Sequence, residues 1–158
     1  MKIGITGHQR LNKPSDWVKV RTRLGELLDQ AVKPLTGLTS LAIGADQLFA
    51  EAVLDCGGTI EVIIPFDGYE MKFKEGSDRD AFQRLLGRAS RTETLEKPGT
   101  DEEAFLEAGK RIVDLSDKMI AVWDGQPAAG VGGTGDIVDY CKTQGKPVDL
   151  ITVDISSR

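Results

Sequence analysis

Cysteine, histidine and long apolar runs are all scarce in this 158-residue chain. The two cysteines, Cys56 and Cys141, stand far apart and His8 is the one histidine, so no zinc-ligand spacing exists. Both thiols are expected to be buried and reduced, as in a cytosolic protein. No apolar stretch approaches the roughly 20 residues that a membrane span needs. Lys2 leads straight into a short strand pattern rather than a leader-type apolar segment. The expectation is a soluble, cytoplasmic protein with no membrane partner. A basic stripe is missing as well. Twenty Lys and Arg against 25 Asp and Glu leave a net charge of -5, and Lys19, Arg21 and Arg23 alternate as the solvated face of a helix. On that ground nucleic acid is not expected as a partner. Repeats, low-complexity runs and linkers are absent too, so residues 1–158 read as one domain able to bury a core without staples.

What the chain does have is alternation. Short apolar runs at Lys2–Thr6, Ser40–Ile43, Ile60–Pro65, Arg91–Leu95, Lys118–Trp123 and Val148–Val153 read as strands. Helical spacing fills the intervals. Ser15 is placed to cap the first helix, with Trp17, Val20, Leu24, Leu27, Leu28 and Ala31 on its inner face. Asp46 is placed to cap the second, with Leu48, Phe49, Ala52 and Val53 inward. Phe82, Leu85 and Leu86 mark a third. Thr100, before three acidic residues, opens a fourth that Ile112, Val113 and Leu115 carry to its end. Ile137, Val138 and Cys141 mark a fifth, which stops at Gly145 before Pro147. The polar segment Gly68–Asp80 reads as a mobile excursion. Strands separated by helices imply parallel pairing, hence a three-layer α/β/α sandwich with a mainly parallel, Rossmann-like sheet of about six strands.

In such a sheet, ligands bind where loops leave the carboxyl ends of strands. The first strand runs into ITGHQRL, where Gly7 lets backbone approach and Arg10 offers a planar, permanently charged fork for a phosphate or carboxylate. The second runs into IGADQLFAEAV. There Gly44 allows a tight turn, and Asp46 is either a helix cap or a contact to a ribose or base. After the third strand, Phe66 and Tyr69 either pack on the core or wall a pocket. The fifth strand ends in AVWDGQPAAGVGGTGDIVDY, where Gly132, Gly133, Thr134 and Gly135 open a helix. A helix N-terminus carries unpaired N–H donors and about half a positive charge, an anion site from which glycines remove obstructing side chains. The formal G-x-G-x-x-G of Gly130, Gly132 and Gly135 trails its strand by several residues with one strand left to follow, which argues against a dinucleotide fingerprint.

Together these loops resemble the SLOG superfamily, which includes the LONELY GUY-type phosphoribohydrolases. The resemblance covers ITGHQRL, AIGADQLFAEAV, SDKMIAVWDG and GGTGDIVD. It implies a Rossmann-like domain and a nucleotide-type ligand, and it alone suggests a homodimer. The phosphoribohydrolases carry G-G-x-G-T-x-x-E, whose glycines and threonine hold a 5′-phosphate and whose glutamate acts at the glycosidic bond. In this chain the glycines fall on Gly132, Gly133 and Gly135, the threonine position on Asp136 and the glutamate position on Asp139. The family's P-R-x-G-x-G arginine has no counterpart. In the similar nucleoside deoxyribosyltransferases, the nucleophilic glutamate position falls on Ile137. The expected function is therefore binding of a nucleotide or nucleotide-derived ligand, as a sensor. The alternative is a phosphoribohydrolase acting on nucleoside 5′-monophosphates with Asp139 as its catalytic carboxylate. No cofactor is expected. Asp46, Asp124 and Asp136 could accompany magnesium beside a phosphate, but nothing in the sequence asks for it.

Overall fold

The computed structural model describes residues 1–128 and 133–154. Six strands form one parallel sheet: β1 (Lys2–Gly7), β2 (Thr36–Thr39), β3 (Thr59–Ile64), β4 (Arg91–Thr94), β5 (Lys118–Trp123) and β6 (Val148–Thr152), in the order β4-β3-β2-β1-β5-β6. Five helices alternate with them: α1 (Pro14–Asp29), α2 (Ala45–Asp55), α3 (Ser77–Leu86), α4 (Asp101–Leu115) and α5 (Thr134–Thr143). Helix α2 packs against α1 and α3, and α4 against α5, which gives the three layers expected of the alternating pattern.

Two apolar cores follow from strand alternation. Ile3, Ile5, Ile60, Val62, Ile64, Ile120 and Val122 point into one core, whereas Leu38, Ile63 and Met119 point into the other with Ala108, Ile112 and Ile137. Helices reach the central strands because glycine stands beneath them. A Cβ at Gly4 would lie 2.5 Å from Ile112 Cγ2 of α4, and one at Gly37 would lie 2.8 Å from Phe49 Cε2 of α2. Thr100 caps α4 as expected, its hydroxyl accepting the Glu103 N–H at 3.2 Å. Gly145, at φ +66°, ends the turn after α5 before Pro147. Ser15 does not cap α1. Pro14 occupies the first helical turn, with Lys13 extended before it, and proline's fixed φ and missing N–H suit that place.

Two further expectations are corrected. The second strand is Thr36–Thr39, not Ser40–Ile43, which is the turn that follows it. Gly68–Asp80 is not a loose excursion: Tyr69–Lys72 forms a 3-10 turn, Tyr69 and Phe73 are buried, and α3 begins at Ser77. No helix among the described residues is long and apolar enough to cross a membrane. Strand order reverses between β1 and β5, so their diverging loops open a crevice at the carboxyl edge of the sheet.

Candidate functional site

A cleft of about 540 Å³ occupies that crevice, within the size range of small-molecule sites. Five segments build it. The β1 end supplies Thr6, Gly7, His8, Gln9 and Arg10, and the β2 turn supplies Ser40, Ala42 and Asp46. Pro65 and Tyr69 come from the β3 end. Phe105, Ala108, Gly109 and Ile112 of α4 make an apolar wall, and Gly133, Thr134, Gly135 and Ile137 bring the start of α5.

The glycines serve different ends. Gly7 is a packing glycine, since a Cβ there would lie 2.5 Å from Ala45 Cβ and 2.9 Å from Val122 Cβ. Gly44 precedes α2 at φ +90°, with Gln9 backbone crossing so close that a Cβ would lie 2.6 Å from its carbonyl oxygen. Gly44 lines a neighbouring groove rather than this cleft. Gly135 admits the returning loop, for its Cβ would lie 2.7 Å from Ala128 N. Gly133 differs: it precedes α5 at φ −72°, an angle open to any residue. Its conformation does not require glycine. Gly132 lies outside the described residues.

At the α5 end, Gly133 O accepts the Asp136 N–H at 3.1 Å, closing the first turn. Thr134 and Gly135 occupy the first two helical positions, whose N–H groups have no partner within a helix. Arg10 stands at the rim, exposed and without an ion pair among the described residues. His8 ties the two diverging loops together. Its Nε2 lies 3.3 Å from Asp124 N and 3.4 Å from Asp124 Oδ1. Asp124 Oδ1 also accepts the Gln126 N–H at 3.1 Å, and Gly125 at φ +82° completes the turn off β5.

The β2 turn is built around Asp46. Leu41 adopts φ +59°, held by its N–H donating to Thr39 Oγ1 at 2.9 Å and its carbonyl accepting from Gln47 Nε2 at 3.1 Å. A buried leucine in left-handed conformation is strained, and such strain clusters at functional sites. The turn aims the N–H groups of Ser40 and Ala42 at Asp46 Oδ2, at 3.3 and 3.4 Å. Asp46 is therefore not the cap of α2; it reaches back to the strand end, and Gly44 holds the cap position. Burial pushes its carboxyl up from 3.8 to about 6, against hydrogen bonds from Ala42, Ser40 and the Thr39 hydroxyl that pull it down.

Tyr69 joins Phe66, Phe73, Phe82 and Phe105 in a mostly edge-to-face aromatic cluster. Phe66 is core alone, whereas Tyr69 is both core and cleft wall. Burial, and secondarily the nearby Asp46 charge, raises the Tyr69 phenol. Its hydroxyl has no hydrogen-bond partner among the described residues.

The structure thus brings Gly7, Arg10, Asp46, Gly133, Thr134 and Gly135 into one cleft. It does not bring Asp139 there. The buried face of α5 is Thr134, Gly135, Ile137, Val138 and Cys141, and the helical repeat turns Asp139 outward to solvent. Sequence reasoning passed over Ser40, hidden in a misplaced strand, and the α4 wall. A glycine inside a helical pattern, Gly109 beside Ala108, was the available signal for that wall.

No family model matches the chain, and no curated protein matches it. Solved structures do. DNA processing protein A of Streptococcus pneumoniae superposes with a TM-score of 0.67 at 17% identity, over 99% of this chain and 52% of that one. The chain thus spans about half the length of that protein. DNA processing protein A of Helicobacter pylori, described in its single-stranded DNA binding mode, gives 0.64 at 17% identity over 99% and 67%. The molybdenum cofactor carrier protein of Chlamydomonas reinhardtii gives 0.55 at 17% identity over 94% and 74%. These likenesses are of fold, and the Rossmann-like fold expected from the resemblance is the one observed. One expectation is overturned. The net charge was read as excluding nucleic acid, yet a protein of this fold binds single-stranded DNA. Whole-chain charge does not report how charge is distributed around a cleft.

Proposed function

We propose that the cleft binds a nucleotide or nucleotide-derived ligand with its phosphate against the start of α5 and Arg10 closing over it, as a sensor or carrier. One observation carries this reading: the N-terminus of α5 opens into a cleft at the strand-order reversal, opposite an arginine with no ion pair among the described residues. Gly133 supports it, being a glycine that the backbone does not need and a bound phosphate would. The apolar α4 wall suits a flat base. Binding without turnover is favoured over hydrolysis because Asp139 faces solvent, and Asp46 is the one carboxylate among the described lining residues.

A free nucleotide and a nucleotide unit of a single strand offer the same phosphate chemistry, so both belong in the test. A thermal-shift screen would cover nucleoside mono-, di- and triphosphates, nucleotide sugars, NAD, sugar phosphates and a short single-stranded oligonucleotide. A ligand at a hundred times its Kd stabilises the fold by about 2.7 kcal/mol, several degrees for a chain of this size. Gly133→Leu should fold normally and lose the shift. A shift of equal size in Gly133→Leu would place the phosphate elsewhere and sink the reading.

A further inference from the structure

We infer that the end of the cleft remote from α5 reads the vicinal hydroxyls of a ribose, with Tyr69 and Asp46 as the residues that set this specificity. The inference rests on the nucleotide reading of the cleft and names the sugar that the ligand carries.

The free hydrogen-bonding capacity of the two side chains decides the chemistry. A carboxylate has about four acceptor sites. Three of those on Asp46 are taken by the Ser40 and Ala42 N–H groups and the Thr39 hydroxyl. One acceptor site is left, too little for the bidentate grip that a donor-rich base edge would need. Beside it stands the Tyr69 phenol, which both donates and accepts. Tyr69 is only 5% exposed, is enclosed by phenylalanines on its ring, and has no hydrogen-bond partner among the described residues. The ring is buried but the hydroxyl is not sealed off: it opens to the cleft that the residue lines, where a ligand would take the place of water as its partner. A single acceptor next to a donor–acceptor matches two adjacent hydroxyls, one donating to the carboxylate and the other exchanging with the phenol. Thr6 and Ser40 extend the same polar floor.

The order of the elements agrees: α5 follows β5 and Asp46 follows β2, with β1 between those strands, so the anion site and the hydroxyl-reading pair stand on opposite sides of the β1 loop. Asp46 holds the Ser40 and Ala42 N–H groups and also lines the cleft, so the turn fixes its carboxylate where an occupant would meet it.

The test is calorimetric titration of the full chain with AMP, GMP, CMP and UMP and with their 2′-deoxy counterparts. At least one ribonucleotide should bind about tenfold or more tightly than its deoxy form, the loss expected for one hydrogen bond to a charged or buried partner. Of Tyr69→Phe, which keeps the ring in its cluster, and Asp46→Asn, the one that removes the partner of the 2′-hydroxyl should bring the two forms within about threefold of each other, and the other should weaken both forms alike through the 3′-hydroxyl. Equal affinity for ribo and deoxy forms in the unmodified chain would overturn the ribose assignment and leave the nucleotide site standing. A ratio untouched by both substitutions would overturn the roles of Tyr69 and Asp46. Failure of every nucleotide to bind would remove the proposed function itself, and this inference with it.

Discussion

Replacing Asp46 with asparagine should make the unliganded protein more stable at neutral pH. The carboxyl is buried, and burial raises it from 3.8 to about 6 in the folded chain. The linkage sign follows from which state holds the proton. Below pH 4 the carboxyl is protonated folded or unfolded, and it contributes no pH dependence. Between pH 4 and 6 the unfolded chain has released its proton while the folded chain retains it, so stability falls as pH rises through this window. At 1.36 kcal/mol per pH unit, the loss amounts to about 3 kcal/mol once pH exceeds 6. Asparagine keeps an oxygen for the Ser40 and Ala42 N–H groups and can turn its amide toward Thr39 Oγ1, yet it carries no charge to desolvate. Urea denaturation of both proteins at half-unit steps from pH 4 to 7.5 reads the effect. The two midpoints should nearly coincide at pH 4 and diverge to about 1.5 M at pH 7, taking a slope of about 2 kcal/mol/M. A gap independent of pH would refute the reasoning, because other acids titrate equally in both proteins and cancel in the difference.

Two further outcomes follow from the same site. Arg10→Ala should weaken nucleotide binding by about tenfold or more, the worth of a charge-assisted hydrogen bond, without changing the melting temperature of the free chain. Arg10 is exposed and unpaired among the described residues; a melting temperature that falls with affinity would show it to be structural instead. Gly44→Ala combines a φ of +90° with a Cβ 2.6 Å from Gln9 O. It should cost about 2–4 kcal/mol and roughly 5–15 °C in calorimetric Tm, and a variant melting within two degrees of the parent would show that the Gln9 backbone yields freely.

Much of the fold was legible because its signals are local and redundant. Strands β1, β3, β5 and β6 are apolar runs, Thr100 before three acids is a cap that formed as read, and Gly145 with Pro147 stops α5. Strand β2 was misplaced for a physical reason. Its sequence, Thr-Gly-Leu-Thr, shows one apolar side chain because Gly37 surrenders its volume to Phe49 and Val53 of α2. The neighbouring Leu41-Ala42-Ile43 looks more strand-like but is bent by the positive φ of Leu41. No periodicity reports such a bend. For the site, Gly7, Arg10, Gly133 and Gly135 lie in the cleft whereas Gly44 lines the neighbouring groove, and the sequence could not separate a packing glycine such as Gly7 from one whose backbone angle does not require glycine, such as Gly133. Asp139 matched a motif by spacing, whereas function depends on which side of the helix faces inward. Tyr69 stood out after the third strand as core or pocket wall and is both, whereas its ring partners Phe73, Phe82 and Phe105 were not legible because they lie in a polar stretch or on other elements.

The turn between β2 and α2 would also set which way round the proposed ligand enters. By wrapping Ser40 and Ala42 N–H groups around Asp46, the protein seats an anion of its own at one mouth of the crevice. At the other, the Thr134 and Gly135 N–H groups have no partner among the described residues. A phosphate approaching the first meets a resident negative charge; approaching the second it meets donors and Arg10. The crevice is polarised before anything binds, and that built-in asymmetry, rather than close fit alone, would give the proposed guest a head and a tail.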